Sequence, residues 1–461
     1  MTDYRGLSYW HDTAGEQLTP RPALDGDTEV DVAIVGAGFT GLWTAYYLSA
    51  AEPSLRIAVL EARVAGFGAS GRNGGWCSGL FPVSLTRLAR LAGADRANAQ
   101  YRAQQRTVDE VGRVIAEERI DCGYAKGGTI MLARSPVQLA RAKAALAEAR
   151  EYGFSAKDLQ LLGPDEARAH CAATEVVGGT YTPHCAAVHP ARLVRGLARA
   201  AERRSVTIYE QTPVLRVAPG RVETPHGTVR ANSVIRATEG YTAGLPGHRR
   251  ELVPVYSLML ATTPLPPTFW DAVGLARRQT FSDFRHLIIY GQRTTDDRLA
   301  FGGRGAPYHF GSKTLPEYDR EPAVFGELAG ALTELFPTLS DVDHQISHTW
   351  GGPLGVPRDW CASVGFDPGT RLGHAGGYVG DGVAATNLAG RTLADLVLGR
   401  DTELIRLPWV GHHSPRWAPE PIRWIEVNAA RRAITAIDRG EQRTGRTPRL
   451  APLVTRLLGN G

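Results

Sequence analysis

Short apolar runs alternate along this chain with stretches whose apolar residues recur every three or four positions, and glycine or proline punctuates nearly every change. That rhythm predicts strands and helices in turn. Residues 30–35 read as a buried strand followed by a helical pattern, and residues 57–60 as a second buried strand. Over 82–120, Val108, Val111 and Ile115 fall on one helical face. Residues 127–132 read as a strand, and Pro136 opens a helix with Ser135 as its N-cap. Pro190 starts another helix, with Leu193, Val194, Leu197 and Ala201 on its buried side. A strand at 206–209, a hairpin-like stretch at 214–229 and a strand at 234–237 follow. Strands at 253–262, 286–290 and 299–303, a helix over 322–336, and a strand then helix over 373–399 complete the core pattern. The helix at 373–399 buries Leu388, Leu393 and Leu396, and a last helix over 427–437 carries a basic face of Arg431, Arg432 and Arg439.

The first strand runs into Gly36, Gly38 and Gly41, the spacing G-x-G-x-x-G. Gly36 permits the tight turn, Gly38 admits a pyrophosphate close to the backbone, and Gly41 lets the helix lie near the strand. Free N–H groups at this helix start, around Phe39 and Thr40, suit phosphate oxygens. The second strand ends at Glu61-Ala62, and Glu61 stands 20 residues after Gly41, the separation at which a carboxylate takes the ribose hydroxyls. Strand, glycine turn, helix and acid together predict a dinucleotide site. Asp31 and the three glycines interrupt the apolar content here, and no apolar stretch of roughly 18 residues exists, so no membrane span is expected.

The expected fold is α/β combined with α+β, a Rossmann-like dinucleotide-binding domain interleaved with a mixed-sheet substrate domain. The first takes residues 30–81, 160–245 and 345–400, and the second 82–159 and 246–344. An arm, 1–29, is expected to pack on the surface, and an extension, 401–461, covers the active site, pairs subunits or is simply a surface helix.

At 461 residues with 43% hydrophobic and 21% charged content, the chain has the make-up of an ordinary globular protein. Its net charge of +5 is only mildly basic, and no basic run is interleaved with aromatics, so a nucleic-acid partner is not expected. Cys77, Cys122, Cys171, Cys185 and Cys361 are scattered without C-x-x-C spacing and read as reduced thiols of a cytoplasmic protein. Residues 1–12 lack an export pattern. His412-His413 has no further ligand type at useful spacing, so no metal is expected.

Straight after the second strand, Gly68-Ala69-Ser70-Gly71-Arg72-Asn73-Gly74-Gly75 forms a second phosphate-friendly loop, rich in N–H donors with a hydroxyl and a guanidinium to assist. A nicotinamide domain has no use for it there. With these residues the chain resembles the flavin-dependent amine and amino-acid oxidases of the D-amino-acid oxidase superfamily. It is most similar to the glycine oxidase, gamma-glutamylputrescine oxidase and aminophosphonate oxidoreductase branch, over roughly residues 8–400. The resemblance implies noncovalent FAD held by Ser70, Arg72, Asn73, Gly74 and Gly75 besides the first turn. It also implies Val214 at the adenine, Thr238 near the pyrophosphate, and Gly377, Asp381, Gly382 and Val383 where a helix start faces the flavin pyrimidine edge.

The chemistry so implied is oxidation of a small primary or secondary amine, by hydride transfer from its α-carbon to flavin N5, with the imine then hydrolysed. Tyr290, Arg304 and Trp350 are the residues expected to face the substrate, against bland roles as core aromatics or a surface ion pair. Leu354 stands where the glycine-oxidase branch places a carboxylate-binding arginine, which disfavours α-amino acids and leaves a remoter anionic group to Arg304 or Arg293. The stretch 297–301 lacks the lysine that assists oxygen in sarcosine oxidases, so oxygen and another electron acceptor both stay open. Cys361 is not placed to link a flavin. Asp381 stands where relatives often have histidine, and a carboxylate near the flavin would oppose its reduction. A dehydrogenase using a non-oxygen acceptor, a flavoprotein subunit serving assembly and, last, a nicotinamide enzyme are the alternatives. The identity of the amine and the oligomeric state are not legible.

Overall fold

The computed structural model describes residues 3–448, so the end of the extension, 449–461, lies outside the described residues. The strand Thr28–Val35 is the centre of the first sheet, in parallel with Gly227–Arg236 on one side and Ile57–Leu60 on the other. Parallel neighbours need a crossover, and the helix Phe39–Ala51 supplies it. Thr207–Tyr209 extends the sheet beyond Ile57–Leu60, and Leu372–Gly376 then Ser363–Asp367 extend it beyond Gly227–Arg236. Side chains of the central strand alternate between two cores. Val32 and Ile34 pack with the helices, while Ala33 and Val35 pack with Leu24, Val222 and Val229 on the other face.

The helix side is layered. Phe39–Ala51 lies against Pro190–Arg203 and Gly382–Leu398, and Ala94–Glu117 packs on the last of these. Gly390 allows the close approach, because a Cβ there would stand 2.6 Å from Trp43 Cβ. The helix expected over 82–120 is two, Leu85–Ala92 and Ala94–Glu117, broken at Gly93 with φ +89°.

The second sheet runs Ile346–Val356, Val253–Thr262, Leu299–Arg304, Ile289–Arg293, Thr280–Asp283, Thr129–Ala133, Gly178–Thr182, Gln160–Leu162. It is antiparallel except where Thr280–Asp283 meets Thr129–Ala133. Three of these strands, Gln160–Leu162, Gly178–Thr182 and Ile346–Val356, correct the expected boundaries, since 160–245 and 345–400 were assigned to the dinucleotide domain. Their partners are distant in the chain, and nothing in their own pattern names the sheet they join. The strand expected over 286–290 lies at Ile289–Arg293, because Arg285 turns the chain back onto Asp283.

One face of this sheet packs on the helix Pro322–Leu335 around Leu258, Leu260, Phe281 and Leu328. The other gathers Met259, Ala261, Ala300 and Trp350 around Tyr9 and Trp10. The arm is thus partly core, not a surface strap: Tyr9 and Trp10 are each 1% exposed, and Trp10 Nε1 donates to the Asn73 carbonyl at 2.8 Å.

The last helix spans Ile422–Thr444, longer than expected. Of its basic face, Arg431 donates to the Gly305 carbonyl at 3.0 Å and Arg439 pairs with Glu327 at 3.5 Å. His412 meets the Asp359 carboxylate at 2.7 Å, which ties the extension to the loop that precedes the strand Ser363–Asp367. One group of metal-ligand type, His286, Asp438 and Glu441, occurs among the described residues, but Arg141 donates into its centre, to Glu441 and to His286 at 2.7 Å. All five cysteines are buried and unpaired. No helix of the described residues is long and apolar enough to cross a membrane.

Candidate active site

The carboxyl ends of the central parallel strands open into a cavity of about 460 Å³. Ligands of open parallel sheets bind at this end. Of the expected residues, Gly36, Gly38, Phe39, Thr40, Glu61, Ala62, Ser70, Asn73, Val214, Thr238, Gly382 and Val383 line it.

The glycine turn is built as the spacing predicts. Gly36 has φ +106°, and a Cβ there would stand 2.6 Å from the Ala237 carbonyl oxygen. Gly41 is behind the wall, where a Cβ would stand 2.0 Å from the Gly36 oxygen, so only glycine lets helix and strand meet. The helix start is not wholly free, since Phe39 N–H donates to Ser70 Oγ at 2.8 Å. Ser70 therefore keeps its own O–H proton to offer.

Glu61 accepts from the Ala37 and Arg63 N–H groups, each at 2.9 Å. Burial pushes its carboxyl up to about 7 against those donors. Glu239 is its counterpart on the next strand end, accepting from Gly377 N–H at 2.8 Å and Gly355 N–H at 3.2 Å, and burial holds it near 7 too. Gly377, with φ +77°, serves as that donor without lining the cavity.

The second glycine loop is tied down mainly by its own residues. Asn73 donates to the Ala69 and Ser70 carbonyls, both at 3.0 Å, and accepts from Gly75 N–H at 2.7 Å. Gly74 and Gly75 are packing positions: a Cβ on Gly74 would stand 2.7 Å from the Tyr290 ring, and one on Gly75 2.0 Å from Gln292 Nε2.

Arg72 corrects the expectation of a phosphate-binding guanidinium. Its side chain is 1% exposed and donates to Asp319 at 2.6 Å, the Gly351 carbonyl at 2.9 Å and Tyr241 OH at 2.9 Å. Its charge is already committed to the protein.

The three residues expected to face substrate do not line the cavity. Trp350 is 1% exposed, its Nε1 donating to the Arg72 carbonyl at 2.8 Å, and is a core residue beside Tyr9 and Trp10. Tyr290 stands behind Gly74, with its OH 2.7 Å from Ser257 Oγ. Arg304 reaches the wall at Gly380, bonded to the Val379 carbonyl. Arg293 is paired with Asp297 at 2.6 Å. Leu354 does line the cavity, and Asp381 sits between the lining residues Gly380 and Gly382, with burial pushing its carboxyl up to about 6.

Tyr241, Tyr256, Tyr378, Leu315 and Asp319 also line it and were not foreseen. Only Tyr256 lies on a strand; the others come from turns and loops distant in the chain that the fold brings together, and Glu239 alone had a local signal, its place after the strand at 234–237.

These residues fit a flavin dinucleotide. Two cradle glycines, an acid at the second strand end, a free serine hydroxyl and a second helix start at Gly382 converge on one cavity.

Comparison with known proteins agrees. The family model described as FAD dependent oxidoreductase matches residues 31–396. Gamma-glutamylputrescine oxidoreductase of Escherichia coli (strain K12) is 29% identical over 409 residues, covering 87% of this chain and 90% of that protein. A probable oxidoreductase OrdL of Haemophilus influenzae is 28% identical over 407 residues, covering 86% and 89%. The crystal structure of glycine oxidase from Geobacillus kaustophilus has the same fold, with a TM-score of 0.71 at 21% identity over 83% of this chain and 98% of that one.

Proposed function

We propose that this chain, which belongs to the family of FAD dependent oxidoreductases, oxidises a small primary or secondary amine that lacks an α-carboxylate. The observation that carries the reading is the apolar Leu354 side chain at the cavity wall. Arg72 is held by Asp319, Gly351 and Tyr241, while Arg304, behind Gly380, donates from Nη2 to the Val379 carbonyl. A carboxylate brought against Leu354 would lose its water and gain no bidentate partner from that side chain. The similar gamma-glutamylputrescine oxidoreductase is, by its name, a redox enzyme acting on a polyamine derivative, which supports an amine substrate here.

When bound, FAD supplies the two-electron acceptor for the α-carbon hydride of the amine, and the imine hydrolyses after release. The residues of this chain bind and orient. Glu61 is the acceptor for the ribose hydroxyls, and Ser70 donates its hydroxyl proton toward the pyrophosphate. Val214 and Thr238 line the dinucleotide end, with Gly36, Gly38, Phe39 and Thr40 at the helix start. Gly382 and Val383 begin the helix whose positive end favours the charge of a reduced acceptor. Tyr256 and Leu354 give the cavity apolar surface that excludes water.

FAD is held noncovalently, a reading supported by Cys361, which is buried and does not line the cavity. Five buried, unpaired thiols suit a reducing compartment and a cytoplasmic enzyme. One observation favours a second reading for the acceptor. Leu299, Ala300 and Phe301 are fully buried and bring no lysine to the site, so a dehydrogenase passing electrons to an acceptor other than oxygen is the alternative.

Anaerobic mixing of the purified protein with butylamine, putrescine, benzylamine, 2-aminoethylphosphonate and glycine tests the reading. Flavin bleaching by an amine but not by glycine is expected. Return of colour with peroxide on admitting air identifies an oxidase, and persistent bleaching a dehydrogenase. No bleaching by any of them overturns the proposal.

A further inference from the structure

Tyr378 stands in the turn that joins the strand Leu372–Gly376 to the helix Gly382–Leu398. Three residues of that turn have left-handed backbone: Gly377 at φ +77°, Val379 at φ +55° and Gly380 at φ +106°. Glycine adopts such angles freely, but a β-branched residue does so only under constraint from its surroundings. Two constraints hold Val379. Its buried side chain packs with Val253, Val356 and Trp417, and its carbonyl accepts from the Arg304 guanidinium. Strain kept beside a cavity, at a position where glycine would relieve it, marks a turn that is required in one shape.

That shape delivers the Tyr378 hydroxyl to the start of another helix. It lies 3.1 Å from Thr40 Oγ1, in the first turn of Phe39–Ala51, and both residues are buried and line the cavity. Neither hydroxyl has another hydrogen-bond partner among the described residues. Two hydroxyls carry two protons, and the bond between them uses one. The other is left without an acceptor, at a helix start whose own N–H groups lack intrahelical acceptors. Ser70 presents the same surplus there, because its Oγ already accepts from Phe39 N–H. Burial pushes the Tyr378 phenol up, so it keeps its proton at neutral pH. A mere tie between two segments would leave a buried donor unsatisfied, which folded proteins avoid.

Resting on the flavin reading of this cavity and not on the identity of the amine, we propose that Tyr378 is an FAD-binding residue whose hydroxyl, accepting from Thr40, donates its proton to a pyrophosphate oxygen. The order Thr40, Tyr378, phosphate puts the more acidic hydroxyl, the phenol, against the anion, and each bond polarises the next. Arg72 is committed to Asp319, so hydroxyl protons and N–H groups stand where a phosphate-binding guanidinium was expected.

The test uses the FAD-loaded protein, wild type and Tyr378→Phe, which keeps the ring and removes only the hydroxyl. Release of FAD on dilution, read by the rise of free-flavin fluorescence, is expected to show affinity weakened about 10- to 100-fold. Phosphorus NMR of the bound cofactor is expected to show a shifted pyrophosphate resonance, while the visible flavin band stays at its wild-type position. Equal affinity, or a phosphorus resonance that does not move, overturns the role of Tyr378 and leaves the flavin reading standing. Should Tyr378→Phe hold no FAD, Thr40→Val decides. Loss of the donor behind Tyr378 weakens FAD about twofold and moves the same resonance, and an unmoved resonance overturns the proposal. A wild type that binds no FAD overturns the flavin reading as well.

Discussion

Arg72 Nη1 donates to the Asp319 carboxylate at 2.6 Å and to the Gly351 carbonyl at 2.9 Å, so the glycine-rich loop of the first sheet is pinned to the edge of the second. The guanidinium also lies over the Phe67 ring at 5.1 Å. The pair is a seam between the two halves, lying against the cavity through Asp319 and Phe67.

Arg72→Met is expected to destabilise the protein by about 3 kcal/mol, because it leaves a largely buried carboxylate without its cation. Denaturant unfolding measures the loss. A midpoint unchanged from wild type would show that Asp319 is solvated well enough alone.

Gly41→Ala puts a methyl 2.0 Å from the Gly36 carbonyl oxygen, backbone that cannot swing aside. The helix Phe39–Ala51 must back away, at about 2–3 kcal/mol, and the pyrophosphate cradle opens with it. The purified variant should be nearly colourless and melt earlier. A yellow variant of wild-type stability would contradict the packing described.

Glu61 and Glu239 are both raised by burial from 4.5 to about 7. Between those values the folded protein without FAD holds protons that the unfolded chain has released. Its stability therefore falls as pH rises through this window, by roughly 3 kcal/mol per group at most. Urea unfolding of FAD-stripped protein at about pH 5 and pH 8 should show a larger loss for wild type than for the Glu61→Gln, Glu239→Gln double variant. Equal losses would mean that neither carboxyl is raised.

Leu354→Arg introduces a guanidinium at a wall position that is apolar in the wild type. Glycine or sarcosine should then bleach the flavin at least about tenfold faster than in wild type, the worth of one charge-assisted contact. No gain with either compound would separate this position from substrate selection.

The order of strands and helices, the turn at Gly36, Gly38 and Gly41, and the acid at Glu61 were legible because their physics is local. Apolar periodicity, a positive φ, and a strand–turn–helix–strand unit of some thirty residues are written in neighbouring positions. Family likeness followed from the same loops, and so did the helix start at Gly382. The destinations of Arg72 and Trp350 were not legible, nor was the membership of Ile346–Val356 in the second sheet. Each depends on an edge strand pairing with Val253–Thr262, about ninety positions away, which sets what stands beside Gly351. A guanidinium in a glycine-rich loop reads the same whether it meets a phosphate or Asp319. Long-range pairing chose between them, because a buried charge takes whichever partner the assembled fold brings within reach.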